Sequence, residues 1–398
     1  MKILIFNRKL PLIKIGGPCG YMYNIYEYLK ENPRGEISFY PDDFKNTIRQ
    51  RIYSKFERIC VHKTVWSKLL NFVAILYLDY FFNYPLSSKE IDFINSFDYV
   101  HVHSVIFYLR FFYGNKKIKA KTILTSHSPE PLIDEISAEH GYFYWFNAHK
   151  KVRNFFIKRE LLSYNDCSKI MFPVKDAREP YIHSSSLYRD CFEALNEKFF
   201  YVVTAVNDLT KNEENKHYLS RFNIPSASLR LCYIGRHTEV KGYDQLQLMA
   251  KKVWEKYPDV YFIIGGKEDP IHGLSDHRWI ELGWVDTSAL LNEIDVFILP
   301  NKNTYFDLIL LEVLRQGNPV VLTRTGGNKW FYNKGMKGLL FYEYGDADQF
   351  LNDVGKCLDY KKNSCIENIK QQNRDFFCKE FNMKAYIENY LHSLELND

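Results

Sequence analysis

Short apolar runs alternate along this chain with longer stretches in which apolar residues recur at intervals of three and four. The first half offers KILIFN, ISFY, YVHVHS, TILTSH, KIMFPV and YVVTAV. The second half offers LRLCYIG, VYFIIGG, IELGWV, VFILP, PVVLT and GLLFY. Each run is short and apolar, which predicts a strand. Amphipathic stretches such as YDQLQLMAKKVWEKY and ADQFLNDVGKCLDY lie between them and predict helices. Strands alternating with helices predict parallel, doubly wound sheets, and two such series predict two sheets. The fold class is therefore α/β. The polar segment 208–228 lacks strand character and is expected to link two domains, 1–207 and 229–380. Residues 381–398 (FNMKAYIENYLHSLELND) predict a last helix with no strand after it, expected to pack back toward the first domain.

Composition narrows the class without choosing a function. A length of 398 residues suggests two or three domains. Values of 46% hydrophobic and 25% charged suit a globular protein. The eight cysteines contain no C-x-x-C pair and no histidine at zinc spacing, which predicts reduced thiols and no structural zinc. The N-terminal MKILIFN is too short for a signal-peptide core. No window reaches the roughly 18 apolar residues that span a bilayer, and the longest, LLNFVAILYL, stops at Asp79. A cytoplasmic location is the expectation.

The net charge of +5 is unevenly spread: residues 1–198 carry +8 and the remainder −3. Arg49 through Lys68 holds six Lys/Arg and one Glu. On a helix, Ile52, Phe56 and Ile59 would share one face, and Arg51, Lys55 and Arg58 another. That pattern suits a helix packed on its domain, or one lying peripherally on an anionic membrane surface. The charge excess is modest and no recognition module is present, so nucleic acid is not an expected partner.

In a doubly wound sheet, ligands gather beyond the carboxyl ends of the strands. LRLCYIGRHTEVKGYDQL puts Arg236 and Lys241 at a strand-to-helix crossover, where the helix N-terminus adds partial positive charge. A planar guanidinium and a mobile ammonium suit a diphosphate, although two solvated loop charges would read the same way. Near the N-terminus, Gly16-Gly17 stands between a strand and a helix. Paired glycines let a backbone approach a ligand, and they also make plain turns; the spacing is not G-x-G-x-x-G. NTYFDLILLEVLRQGNPVV carries one acid, Glu312, inside an apolar helix that closes at Gly317. A buried carboxylate needs compensation, either from a nearby Arg or Lys or from the two vicinal hydroxyls of a ribose.

IGRHTEVKG, IDVFILPN, TYFDLILLEVLRQGNPVV and TGGN follow in the order and spacing of the retaining glycosyltransferases of family four (glycosyl transferases group 1). The N-terminal double glycine, YVHVHS and TSH resemble that family's first domain. The resemblance covers nearly the whole chain, closest in 229–328 and loose between roughly 130 and 225. It implies the GT-B fold: two facing Rossmann-like domains with a cleft between them. It implies Arg236 and Lys241 on the donor diphosphate, Glu312 on the ribose, and Gly16 and Gly17 at the leaving phosphate. Phe306 and Leu308 would lie beside the donor. His127 matches a family histidine beside the donor sugar, where a structural histidine at a strand end would look alike. His101 and His103 are expected in core or supporting roles, and Gly326-Gly327 in a tight loop near the donor.

One departure stands out. Eight residues before Glu312 the family has a glutamate, and here stands Thr304; where the family has a glycine, here stands Asp307. That glutamate lies near the reacting centre, where negative charge stabilises an oxocarbenium-like state. Thr304 and Asp307 are therefore candidate catalytic residues, with Asp307 as a replacement carboxylate. The implied reaction moves a hexosyl or N-acetylhexosaminyl group from a UDP- or GDP-sugar to a glycan acceptor, lipid-linked, in cell-surface polysaccharide or glycoconjugate synthesis. It would proceed with retention and without a metal or other cofactor. The alternative is a non-catalytic GT-B protein that binds nucleotide sugar or glycan and partners an active transferase; Thr304 is the feature that favours it.

Overall fold

The computed structural model describes residues 1–7, 17–41, 65–83, 85–208, 217–268 and 270–396. They form two compact α/β units: Met1–Phe172 with Tyr181–Tyr201, and Pro173–Pro180 with Val202–Asp398. Each unit holds one six-stranded sheet. The expected linker lies partly outside the described residues.

In the first unit the strands are β1 (Ile3–Phe6), β2 (Ile37–Phe39), β3 (Tyr99–Val102), β4 (Lys121–Leu124), β5 (Lys169–Phe172) and β6 (Phe199–Tyr201). They run parallel in the order β2-β1-β3-β4-β5-β6. Every residue of β1 and β3 is buried, because helices cover both faces of a parallel sheet. The expected strand YVVTAV is displaced: β6 shares only Tyr201 with it. FFYVVTAV is apolar almost throughout, so no alternation marks where pairing stops. The ladder to β5 uses Phe199, Phe200 and Tyr201.

Among the described residues, helices α1 (Gly17–Glu31), α2 (Val65–Tyr80) and α3 (Lys150–Asp166) are the longest of this unit. A fully buried carboxylate on α3, Glu160, ties four helices together. It accepts from the Tyr80 hydroxyl on α2 (2.8 Å) and from the Tyr188 hydroxyl in the helix Ser186–Ala194. It also accepts from the N–H groups of Leu132 (3.0 Å) and Ile133 (2.9 Å), which open the helix Leu132–Glu139. A buried carboxylate persists only when so satisfied. Arg110 pairs with Asp79, and Arg153 with Asp134 at 2.7 Å, by the same logic.

The second unit contributes β7 (Arg230–Ile234), β8 (Tyr261–Gly265), β9 (Trp279–Gly283), β10 (Val296–Leu299), β11 (Val320–Thr323) and β12 (Leu339–Tyr342). Their order is β12-β11-β10-β7-β8-β9, again parallel. This is the Rossmann order, with the direction of winding reversing between β7 and β10. In such sheets ligands bind beyond the carboxyl ends of the strands at this switch point.

Four helices frame that sheet: α4 (Tyr243–Lys256), α5 (Leu308–Gln316), α6 (Ala347–Lys362) and α7 (Ile366–Glu380). Helix α4 buries Tyr243, Leu246, Met249, Ala250 and Val253, the helical period read from the sequence. Each large apolar side chain so buried contributes roughly 1.5–3 kcal/mol. Helix α5 stops at Gly317, and Asn373 of α7 donates to the Gly317 (3.1 Å) and Asn318 (2.9 Å) carbonyls behind it. A final helix, α8 (Met383–Glu395), is capped by Asn382 and counts with this unit.

Candidate active site

Two loops meet at the β7/β10 switch point. The loop after β7 carries Gly235, Arg236, His237 and Lys241 into α4; the loop after β10 runs from Pro300 to Asp307 into α5. They are joined by backbone, with Lys302 N–H donating to the Val240 carbonyl at 3.0 Å. Gly242 makes the joint possible. Its φ is +67°, and a Cβ there would stand 1.8 Å from the Pro300 carbonyl oxygen.

This joint brings Lys241, Thr304 and Asp307 together, three residues singled out from the sequence. Lys241 Nζ lies 2.6 Å from Asp307 Oδ1. Thr304 Oγ1 donates to Asp307 Oδ2 at 2.6 Å, and Asn301 Nδ2 donates to the same oxygen. Asn301 escaped the sequence reading; its only signal is its place, directly after Pro300 at the end of β10. Thr304 and Asn301 are both fully buried.

Arg236 is exposed at the end of β7, and its carbonyl accepts from the Tyr233 hydroxyl at 2.6 Å. Burial pushes that hydroxyl's pKa up; Asp307 adds to the rise and Arg236 opposes it, so both charges act on one atom. His237 points inward, fully buried and stacked on Tyr243 with ring centroids 3.9 Å apart. It anchors the loop, a role the sequence did not suggest.

Helix α5 opens with Asp307 at its N-cap, yet no side chain caps it. Its first turn is left without a side-chain cap, and an uncapped helix N-terminus favours anions. Leu308 is half-buried at its first position, and Glu312 is buried one turn further on, 6% exposed. The Phe306 ring stacks on Phe331 at 5.3 Å, inside the unit. Gly326 and Gly327 form a tight turn against this loop: a Cβ on either would lie 2.2 or 2.1 Å from the Thr304 or Tyr305 carbonyl oxygen.

In the first unit the winding reverses between β1 and β3. Gly17 opens α1 after β1; Gly16 lies outside the described residues. His103 follows β3 and His127 follows β4. His127 Nε2 and His103 Nδ1 share a hydrogen bond of 2.9 Å, and the His103 and His101 rings are 3.9 Å apart. The Thr125 hydroxyl gives its proton to the Met171 carbonyl, so it accepts from His101 Nε2–H at 2.8 Å. Burial pushes His127 down to about 3 and holds His101 and His103 well below the usual imidazole range. All three are neutral at pH 7. His127 also has a φ of +58°, uncommon for a residue with a side chain and frequent at functional sites.

Residues 228–360 match the family model described as glycosyl transferases group 1. Sucrose-phosphate synthase from Thermosynechococcus elongatus is similar in structure, with a TM-score of 0.62 over 100% of this chain and 99% of that one, at 14% identity. Anabaena Alr3699/HepE, solved in complex with UDP and glucose, gives 0.60 over 99% of each chain at 12% identity. The lipopolysaccharide core biosynthesis glycosyltransferase LpsE of Rhizobium meliloti is 26% identical over 184 residues, 44% of this chain and 52% of that protein. The match thus spans about half of that relative's length. The fold is GT-B, two Rossmann-like units, and the second unit carries the region that matches glycosyl transferases group 1.

Proposed function

We propose that this protein transfers a sugar from a nucleotide-sugar donor to a glycan acceptor in the synthesis of a surface polysaccharide or glycoconjugate. One observation carries the reading. At the β7/β10 switch point the loop after β7 carries Arg236 and Lys241, Lys241 reaches Asp307 at the uncapped N-terminus of α5, and buried Glu312 follows on that helix. In this reading Arg236, Lys241 and the first N–H groups of α5 hold the diphosphate. Glu312 accepts the ribose hydroxyls. Gly17 and the neutral His127 keep the donor roles that the resemblance gives them. The donor is a UDP- or GDP-sugar of hexosyl or N-acetylhexosaminyl type, and transfer is metal-independent with retention. UDP and glucose bound to Alr3699/HepE, and the core-lipopolysaccharide role of LpsE, support the substrate class.

Calorimetry with UDP and GDP tests the site. Arg236→Ala and Lys241→Ala are each expected to weaken diphosphate binding at least tenfold, since charge-assisted bonds contribute roughly 1.5–3 kcal/mol. Unchanged affinity in both variants would remove the pair from the site. Release of the sugar product with inverted anomeric configuration would end the retaining assignment.

The acceptor is proposed to be lipid-linked. No described helix is long and apolar enough to cross a membrane. The basic stretch proposed for membrane contact lies almost entirely outside the described residues. Support comes instead from an exposed apolar face on the first unit. Leu70, Val73 and Tyr77 line one side of α2, leading to Phe81, whose ring stacks on exposed Phe155 of α3 at 5.9 Å. Exposed Lys151 and Lys158 lie one turn either side of Phe155. Apolar rings flanked by lysines suit an anionic interface. Vesicles of phosphatidylglycerol in phosphatidylcholine should co-sediment the protein at low salt, and Tyr77→Glu with Phe155→Glu should release it. Equal sedimentation of the double variant would rule this face out.

A further inference from the structure

A short acid at a helix N-cap usually accepts from the N–H groups of the first turn. Asp307 occupies that position on α5 and does not cap. Its carboxylate turns toward Lys241, whose Nζ lies 2.6 Å from Oδ1. Two donors hold the other oxygen, Thr304 Oγ1 at 2.6 Å and Asn301 Nδ2. Both donors belong to fully buried residues, so the carboxylate is fixed rather than swinging in solvent. Lys241 is fixed as well, because Gly242 seats its loop on the Pro300 carbonyl and Lys302 N–H bonds the Val240 carbonyl. A positioned anion therefore stands before the lysine assigned above to the donor diphosphate.

We propose that Asp307 is an anionic latch: it occupies Lys241 when the site is empty and must yield that lysine to an entering diphosphate. The inference rests on the donor reading above. Binding then exchanges one charge-assisted bond to Lys241 for another, so the lysine adds less net affinity than an unpaired one. The carboxylate left beside the diphosphate also opposes the bound state. Both effects favour departure of the nucleoside diphosphate after transfer, when the carboxylate regains Lys241. The uncapped end of α5 follows from the same arrangement: with Asp307 turned aside, its N–H groups stay open to a phosphate. Thr304 is then a positioning residue, acting through Asp307.

UDP and GDP are titrated calorimetrically into the full chain, into Asp307→Asn and into Thr304→Val. Asparagine keeps the shape and can still accept from Asn301 and Thr304. Asp307→Asn is expected to bind the diphosphate at least about tenfold tighter, and product inhibition should strengthen with it. Thr304→Val loosens the carboxylate and should tighten binding by a smaller factor. If Asp307→Asn binds no tighter while Arg236→Ala still weakens binding, the latch is overturned and the donor site stands. If neither the wild type nor any variant binds either diphosphate, the latch and the donor reading fall together. Should the asparagine variant not fold, the valine variant decides in the same way.

Discussion

Glu160→Ala is expected to lower the unfolding free energy by roughly 3–5 kcal/mol at pH 5, because it leaves several buried polar groups without their partner. The substitution strands the hydroxyls of Tyr80 and Tyr188 and the N–H groups of Leu132 and Ile133. Both tyrosine side chains are buried. The loss should also depend on pH. Burial pushes the Glu160 carboxyl up to about 7 from its ordinary 4.5, against the pull of its four donors. Between those values the folded chain holds a proton that the unfolded chain has released. The stability tied to Glu160 is therefore fully present below about pH 4.5 and declines as pH rises to about 7. At 1.36 kcal/mol per unit, the gap between wild type and variant should narrow by ~2–3 kcal/mol from pH 5 to pH 8. His101, His103 and His127 act in the opposite sense, stabilising above the ordinary imidazole value and costing stability below it. They are common to both proteins and cancel in the difference. Urea unfolding at the two pH values measures the gap. A gap that widens with pH would mean that Glu160 stabilises the fold as an anion.

Glu312 and Glu160 show what could be read in advance. Both are lone acids on an apolar helix face. Glu312 is conspicuous in LILLEVLRQG, where its neighbours are apolar in the linear text. Glu160 lies in KKVRNFFIKRELLSYND, among lysines and arginines, and only helical spacing sets it beside buried Phe156, Ile157, Leu161 and Tyr164. The same signal was present in both and legible in one. The strands read well where turn formers bound them, as in VFILP and PVVLT, and less well at FFYVVTAV, where apolar residues run past the end of β6. Around the site, Arg236 and Lys241 were visible because charge at a strand end is local information, and Glu312 because it breaks an apolar run. The bond from Lys241 to Asp307 was not, because it joins loops 66 residues apart. Asn301 was invisible for a related reason: an uncharged residue after a strand acquires meaning only once Asp307 is placed against it.

Gly242→Ala should damage the site more than removal of either neighbouring cation. The residue has a left-handed backbone, which costs a side-chain-bearing residue roughly 1–2 kcal/mol. The larger difficulty is steric. A Cβ would stand 1.8 Å from the Pro300 carbonyl oxygen and 2.7 Å from its carbon, both backbone atoms that cannot rotate aside. The two loops must separate, which breaks the bond from Lys302 N–H to the Val240 carbonyl and draws Lys241 away from Asp307 and the end of α5. The expected result is a stability loss of about 2–4 kcal/mol and a fall in diphosphate affinity well beyond tenfold, since the proposed donor site needs Lys241 held at the end of α5. Gly345→Ala supplies the comparison. Gly345 is equally left-handed (φ +87°) but exposed, with no atom within 4 Å of an added Cβ. It should show the backbone cost alone, about 1 kcal/mol, and bind UDP or GDP as the wild type does. Thermal unfolding and calorimetry on both variants separate strain from geometry. A folded Gly242→Ala protein that binds the diphosphate with wild-type affinity would show that the joint between these loops does not set the donor site, and the assignment of the site to the β7/β10 switch point would fail with it.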